Sequence, residues 1–102
     1  MSRKRRFERH RPKAAANIQK HKVSFDLAEL AFEDPLSQTE LEGYEHGEER
    51  WRTTGAVGNT ILIVSHTSRE EGNFEIIRII SARKAEPKER RKFEDEKNKA
   101  KR

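Results

Sequence analysis

Two apolar runs constrain this chain more than any other feature: TILIVSH at residues 60–66 and FEIIRIISAR at 74–83, with Glu71-Gly72-Asn73 between them. β-Branched residues dominate both, and a nearly continuous apolar run predicts a strand covered on both faces. Ile61 to Val64 therefore reads as a central strand, and the glycine that follows as the turn into its neighbour. Upstream, Arg50 and Arg52 alternate with Trp51 and Thr53, and Gly58-Asn59 supplies another hairpin turn. These three strands make an antiparallel meander that the rest of the chain has to cover.

The material for covering it is sparse. Of 102 residues, 31% are hydrophobic and 40% charged, which predicts one small domain with a small core. Apolar residues gather in three windows, Val23 to Leu36, Trp51 to Val64 and Phe74 to Ala82, leaving both ends highly charged. Phe7-Glu8 reads as a short edge strand. Pro12 fits the first turn of a helix through KAAANIQKH, with Ala14, Ile18 and His21 on its inner face. Ser24 is a good N-cap for a second helix, FDLAELAF, in which Phe25, Ala28 and Phe32 follow helical spacing. Asp34-Pro35 ends that helix, and the run from there to Gly47 reads as an acidic loop.

After the meander, Glu86-Pro87 opens a last helix whose one strong apolar anchor is Phe93. One or two docked turns followed by a frayed tail are expected there. The whole reads as an α+β domain: a small antiparallel sheet built from a short N-terminal strand, two helices and a three-stranded meander, closed by a C-terminal helix. A basic extension over 1–6, a single domain over 7–93 and a charged tail over 94–102 complete the division.

Charge narrows the chemistry. Lys and Arg number 23 against 18 acids, a net charge of +5, which suits a polyanionic partner. There is no cysteine, so neither a disulfide nor a thiolate metal site can form. The histidines, His10, His21, His46 and His66, show no metal-ligand spacing, and no phosphate-binding glycine loop or nucleophile motif appears. No stretch approaches the ~18 apolar residues of a membrane span, and no apolar segment follows MSRKRR, so a cytoplasmic protein without a membrane partner is expected.

What remains is cations and histidines at the ends of elements. Lys20-His21 closes the first helix, His46 stands with Glu49 and Arg50 at the entry to the meander, and Arg78, Arg83 and Lys84 lie on its last strand. Cleaving an RNA phosphodiester needs a base for the 2′-hydroxyl, an acid for the leaving oxygen and fixed positive charge on the phosphate. Those residue types supply all three without a metal or cofactor. Each also has a plainer reading: Lys20-His21 compensates a helix dipole, and Arg78 between isoleucines snorkels or pairs with an acid.

In order along the chain, FERHRPKAAANIQKHKVSF, Asp34-Pro35, HGEER at 46–50, RIISARKA at 78–85 and ERRKF at 89–93 resemble the blocks of the BrnT toxin family, whose opening runs FEWDxxKAxxNxxKHGVSF. The resemblance implies a RelE-like fold and the toxin of a type II toxin–antitoxin pair, a metal-independent endoribonuclease that inhibits translation. It also implies a BrnA-type antitoxin that neutralises the toxin and binds operator DNA. The family's blocks fall on Lys20, His21, His46, Glu49, Arg50, Arg83 and Lys84. On that footing His46, Glu49, Arg50 and Arg83 are expected to be catalytic, and Lys20, His21 and Lys84 to contact RNA. Arg9-His10 replaces the family's Trp-Asp, Lys22 its usual glycine, and Phe93 the tyrosine of many relatives. The rival reading is a non-catalytic module that binds nucleic acid or a partner through the same basic surface.

Overall fold

A computed structural model describes residues 4–100. The first part of the expected basic extension, residues 1–3, and the last tail positions, 101–102, lie outside the described residues. The elements are β1 (Lys4–Arg9), α1 (Arg11–His21), α2 (Phe25–Ala31), β2 (Gln38–Glu45), β3 (Glu48–Val57), β4 (Thr60–Glu71), β5 (Phe74–Lys84) and α3 (Pro87–Ala100). All strands belong to one five-stranded sheet in the order β1-β5-β4-β3-β2. The α+β class and the β3-β4-β5 meander are as expected, and no described helix is long and apolar enough to cross a membrane.

The sheet differs from the expectation in two respects. It is mixed: β1 runs parallel to β5, with Phe7 opposite Ile77. No tight turn joins these two strands, so nothing forces an antiparallel pairing, and the outer edge of β5 offers β1 an apolar neighbour. The acidic stretch read as a loop is in fact a strand, β2, paired antiparallel with β3. It is an edge strand, where exposed charge on the side chains is the usual protection against further pairing.

Alternation along the strands separates two faces. One carries Leu62, Val64, Ile77, Ile79 and Ala82, which pack against Val23, Phe25, Ala28 and Ala31 beneath α1 and α2. Ser24 caps α2 as expected, its hydroxyl accepting the Leu27 N–H at 3.0 Å. Phe32 extends this layer, edge-on to both Phe7 and His66 with ring centroids 5.2 and 5.0 Å away. The imidazole of His66, 2% exposed, is satisfied from both sides: Nδ1 lies 3.2 Å from the Thr67 carbonyl and Nε2 2.7 Å from the Thr53 hydroxyl, which in turn meets Thr39 at 2.7 Å.

The inner face of α1 departs from expectation. Ile18 is 47% exposed, and the buried residue is Asn17. The cause lies in the sheet, since β1 stops at Arg9, opposite Ile79, while β5 continues to Lys84. Beyond that point the outer edge of β5 has no strand beside it. Asn17 stands in for one: its Nδ2 donates to the Ala82 and Val23 carbonyls, each at 2.8 Å, and its Oδ1 accepts the Ala82 N–H at 3.0 Å.

Both departures in the opening block are visible. His10 occupies the N-cap of α1 without a side-chain capping bond, while Arg9 binds Asp26 and Glu29 of α2 at 2.7 and 2.6 Å. Lys22 ends α1 in the left-handed region, with φ 62°. At the other terminus α3 runs to Ala100, past the one or two turns expected. It contains no residue that breaks a helix after Pro87, and it carries the Arg90–Glu94 pair and the Lys97 ammonium over the Phe93 ring.

Candidate active site

The second face of the sheet sets arginines among buried isoleucines, Ile61, Ile63 and Ile76. Strand alternation sends Arg50 and Arg52 to the side opposite the α1-α2 layer, and the register aligns Arg52 with Ser65 on β4 and Ser81 on β5. Arg78, opposite Thr67, and Arg83, opposite Ile63, share that side. Buried Phe93 of α3 covers one end, lining hollows with Ala56 and Ile61 and with Arg52, Thr54 and Ile63. Along the rest of the face run the guanidiniums of Arg50, Arg52, Arg78 and Arg83, over about 15 Å of strand at roughly 3.3 Å per residue, with Arg69 farther along the same side and paired to Glu8.

Each guanidinium meets a carboxylate. Arg52 binds Glu40 at 2.7 Å, Arg78 binds Glu48 at 2.7 Å, Arg50 lies 3.3 Å from Glu45, and both η nitrogens of Arg83 bind Glu89. The Arg83 bonds and the Glu86 N–H drive the Glu89 carboxyl down to about 2, and the same pairing raises Arg83. Arg52 likewise lowers Glu40. Arg50 is the least exposed of the four, and its Nε is buried with no hydrogen-bond acceptor among the described residues. Such an N–H is costly to leave unpaired.

A bulge arranges the acids. Pairing slips between Leu41 and Gly43 on β2, so that Gly43 lies opposite Arg50 and Glu45 opposite Glu48. The extra residue lets Glu40, Glu42 and Glu45 all point to the arginine side, although their spacings are two and three. Glu42 reaches past β3 to β4, where it accepts the Ser65 hydroxyl at 3.2 and 3.4 Å. It is also one of the carboxylates whose charge favours the Arg83 guanidinium.

The residues expected from the sequence divide accordingly. Arg50 and Arg83 come together on this face. His46 occupies the β2-β3 turn, exposed and left-handed at φ 54°, one residue beyond Glu45. Glu49 pairs with Tyr44, and alternation sends it to the opposite side from Arg50. Lys20 and His21 end α1 and line a hollow with Ile80 and Ser81 at the β5 edge, next to the arginine face. Lys84 closes β5 on the side opposite Arg83.

Not singled out beforehand were Arg52, Glu40, Glu42, Ser65 and Glu89. Arg52 was within reach, because it follows Arg50 at strand spacing. Glu42 and Glu89 were not, because a bulge and the docking of α3 bring them in.

Several bidentate donors on one open face suit phosphates, and a carboxylate with a hydroxyl between them can exchange a proton. Among the described residues no three His, Asp or Glu side chains gather as a metal cluster. Residues 10–89 match the model of a family described as the ribonuclease toxin BrnT of type II toxin–antitoxin systems. No curated protein matches the chain. The matched span holds Arg50, Arg52, Arg78 and Arg83 together with Glu42, Ser65 and Glu89. The chain belongs to the BrnT family of ribonuclease toxins of type II toxin–antitoxin systems.

Proposed function

We propose that this ribonuclease toxin has a RelE-like fold, cuts RNA on the arginine face without a metal and so inhibits translation in the cytoplasm. The single observation that carries the reading is the set of guanidiniums of Arg50, Arg52, Arg78 and Arg83 on one side of the sheet, with Arg50 Nε still lacking an acceptor. RNA phosphates displace the paired carboxylates, and Arg50 and Arg83 bear the charge that grows on the scissile phosphate. Lys20 and His21, at the edge of this face, hold the backbone beside it, while Lys84 projects from the other side of the sheet. His46, adjacent to the Glu45 that pairs with Arg50, returns a proton to the leaving 5′-oxygen.

Neutralisation follows from the same surface. A BrnA-type antitoxin that covers the face with acidic side chains would repeat in trans what Glu40, Glu45, Glu48 and Glu89 do in cis. The same antitoxin would carry the pair to operator DNA. The test is incubation of purified protein with RNA in chelator, with and without the co-expressed antitoxin. Cleavage that the antitoxin suppresses is expected. Salt-sensitive binding without cleavage would contradict the reading in favour of a non-catalytic nucleic-acid module.

A further inference from the structure

The carboxylates on the arginine face are not equivalent. Glu40, Glu45, Glu48 and Glu89 are each engaged by a guanidinium. Glu42 instead accepts a bond from a neutral hydroxyl, Ser65 Oγ, at 3.2 and 3.4 Å. A ribose 2′-hydroxyl is a donor of that same kind, so the Ser65 contact marks where a substrate hydroxyl can reach the carboxylate. The position is central: Ser65 lies in register between Arg52 on β3 and Ser81 on β5, and the Glu42 charge is felt at Arg83. A general base must stand within hydrogen-bond reach of its proton and beside the groups that bind the phosphate. The β2 bulge provides this, because it keeps Glu42 and Glu45 on one side despite their odd spacing.

We infer that Glu42 is the general base of the cleavage reaction, with Ser65 as the residue that positions it. The inference rests on the proposed ribonuclease reading of this face. In the step, the Glu42 carboxylate takes the proton of the 2′-hydroxyl, and the 2′-oxygen forms a bond to phosphorus. The bond from phosphorus to the 5′-oxygen breaks, and that oxygen leaves as a hydroxyl with a proton from a general acid. The products are a 2′,3′-cyclic phosphate and a 5′-hydroxyl end, and Glu42 returns its proton to solvent.

The test uses the full chain and a single-stranded RNA oligomer, with binding and single-turnover cleavage measured separately. Glu42→Gln keeps the size of the side chain and removes its basicity. It is expected to bind the oligomer at least as well as the parent and to cleave it about 100- to 10,000-fold more slowly. Ser65→Ala is expected to lower the maximal rate by about 10-fold with KM little changed, because it loosens the carboxylate and leaves the phosphate ligands in place. Glu42 is exposed on β2, so the substitution is expected to leave the fold intact, and Glu42→Asp is expected to restore part of the rate.

Wild-type cleavage with an equally active Glu42→Gln protein would overturn this inference alone. Faster cleavage by Glu42→Gln would also overturn it, since Glu42 would then be one more competitor for phosphate. A wild-type protein that binds the oligomer and never cleaves it overturns both this inference and the reading beneath it.

Discussion

Arg83 and Glu89 meet side by side, the two η nitrogens donating to the two carboxylate oxygens at 2.8 and 2.9 Å. The Glu86 N–H, at the start of α3, donates to the same carboxylate at 2.8 Å. One side chain therefore caps the helix and fastens it to the end of β5. The arrangement lowers the Glu89 carboxyl from 4.5 to about 2. A depressed carboxylate stabilises the fold fully above its unfolded value and loses that contribution as the pH falls through the folded one. Stability should therefore drop between pH 4.5 and about 2, and solvent screening of this half-open pair reduces the contribution to about 1 kcal/mol. Denaturant midpoints over that range should flatten in Glu89→Gln; an unchanged slope would place the acid sensitivity elsewhere.

Asn17 gives a second prediction. Its amide serves the Ala82 N–H and the Ala82 and Val23 carbonyls in a buried setting. Removing it in Asn17→Ala leaves all three without that partner, and destabilisation of about 2–4 kcal/mol is expected, given about 1–3 for each buried group left unpaired and some recovery by water. Urea unfolding measures it. A loss under about 0.5 kcal/mol would mean that the β5 edge finds another partner.

Lys22 holds a conformation suited to glycine, and its backbone N–H still closes the helix on Ile18 O at 2.9 Å. Lys22→Gly relieves about 1–2 kcal/mol of left-handed strain and returns about 0.4–1 through a more flexible unfolded chain. A net gain of about 0.5 kcal/mol in thermal or denaturant unfolding is expected, and a loss would show that the Lys22 Nζ bond to Gln19 O outweighs the strain.

His66 is held neutral, with burial pushing it below its ordinary 6.5. The unfolded chain therefore takes up a proton that the folded one refuses, so stability should fall as the pH drops through about 6.5 and level off at the folded value. His66→Gln, which keeps a polar group beside Thr53, should lack this component when melting is followed between about pH 7.5 and 5.5. A parallel fall in both proteins would contradict it.

The meander is legible because Ile61 to Val64 and Ile76 to Ile80 can be accommodated only as strands, and their turns carry glycines that do adopt positive φ, Gly58 at 61° and Gly72 at 60°. β2 is not, because three acids mask its alternation and the slip at Gly43 breaks the period. Arg50 and Arg83 are legible as cations at strand positions. Their shared face, and Glu42 upon it, depend on a register that no local signal encodes. Asn17 looks like any polar helix residue until β5 is known to outrun β1. Glu49 and Arg50 are adjacent in sequence, and it is this adjacency that parts them in a strand.

If guanidiniums on the open sheet face carry RNA cleavage, replacing Arg83 must slow it. Cleavage of an RNA oligomer in chelator should be compared between the parent, Arg83→Ala and Arg83→Lys, with folding verified by circular dichroism because Arg83 also anchors Glu89. Loss of the bidentate donor is expected to slow Arg83→Ala about 100- to 1,000-fold, with Arg83→Lys recovering only part of the rate. A folded Arg83→Ala protein that cuts RNA at the parental rate would rule out a catalytic role for this guanidinium.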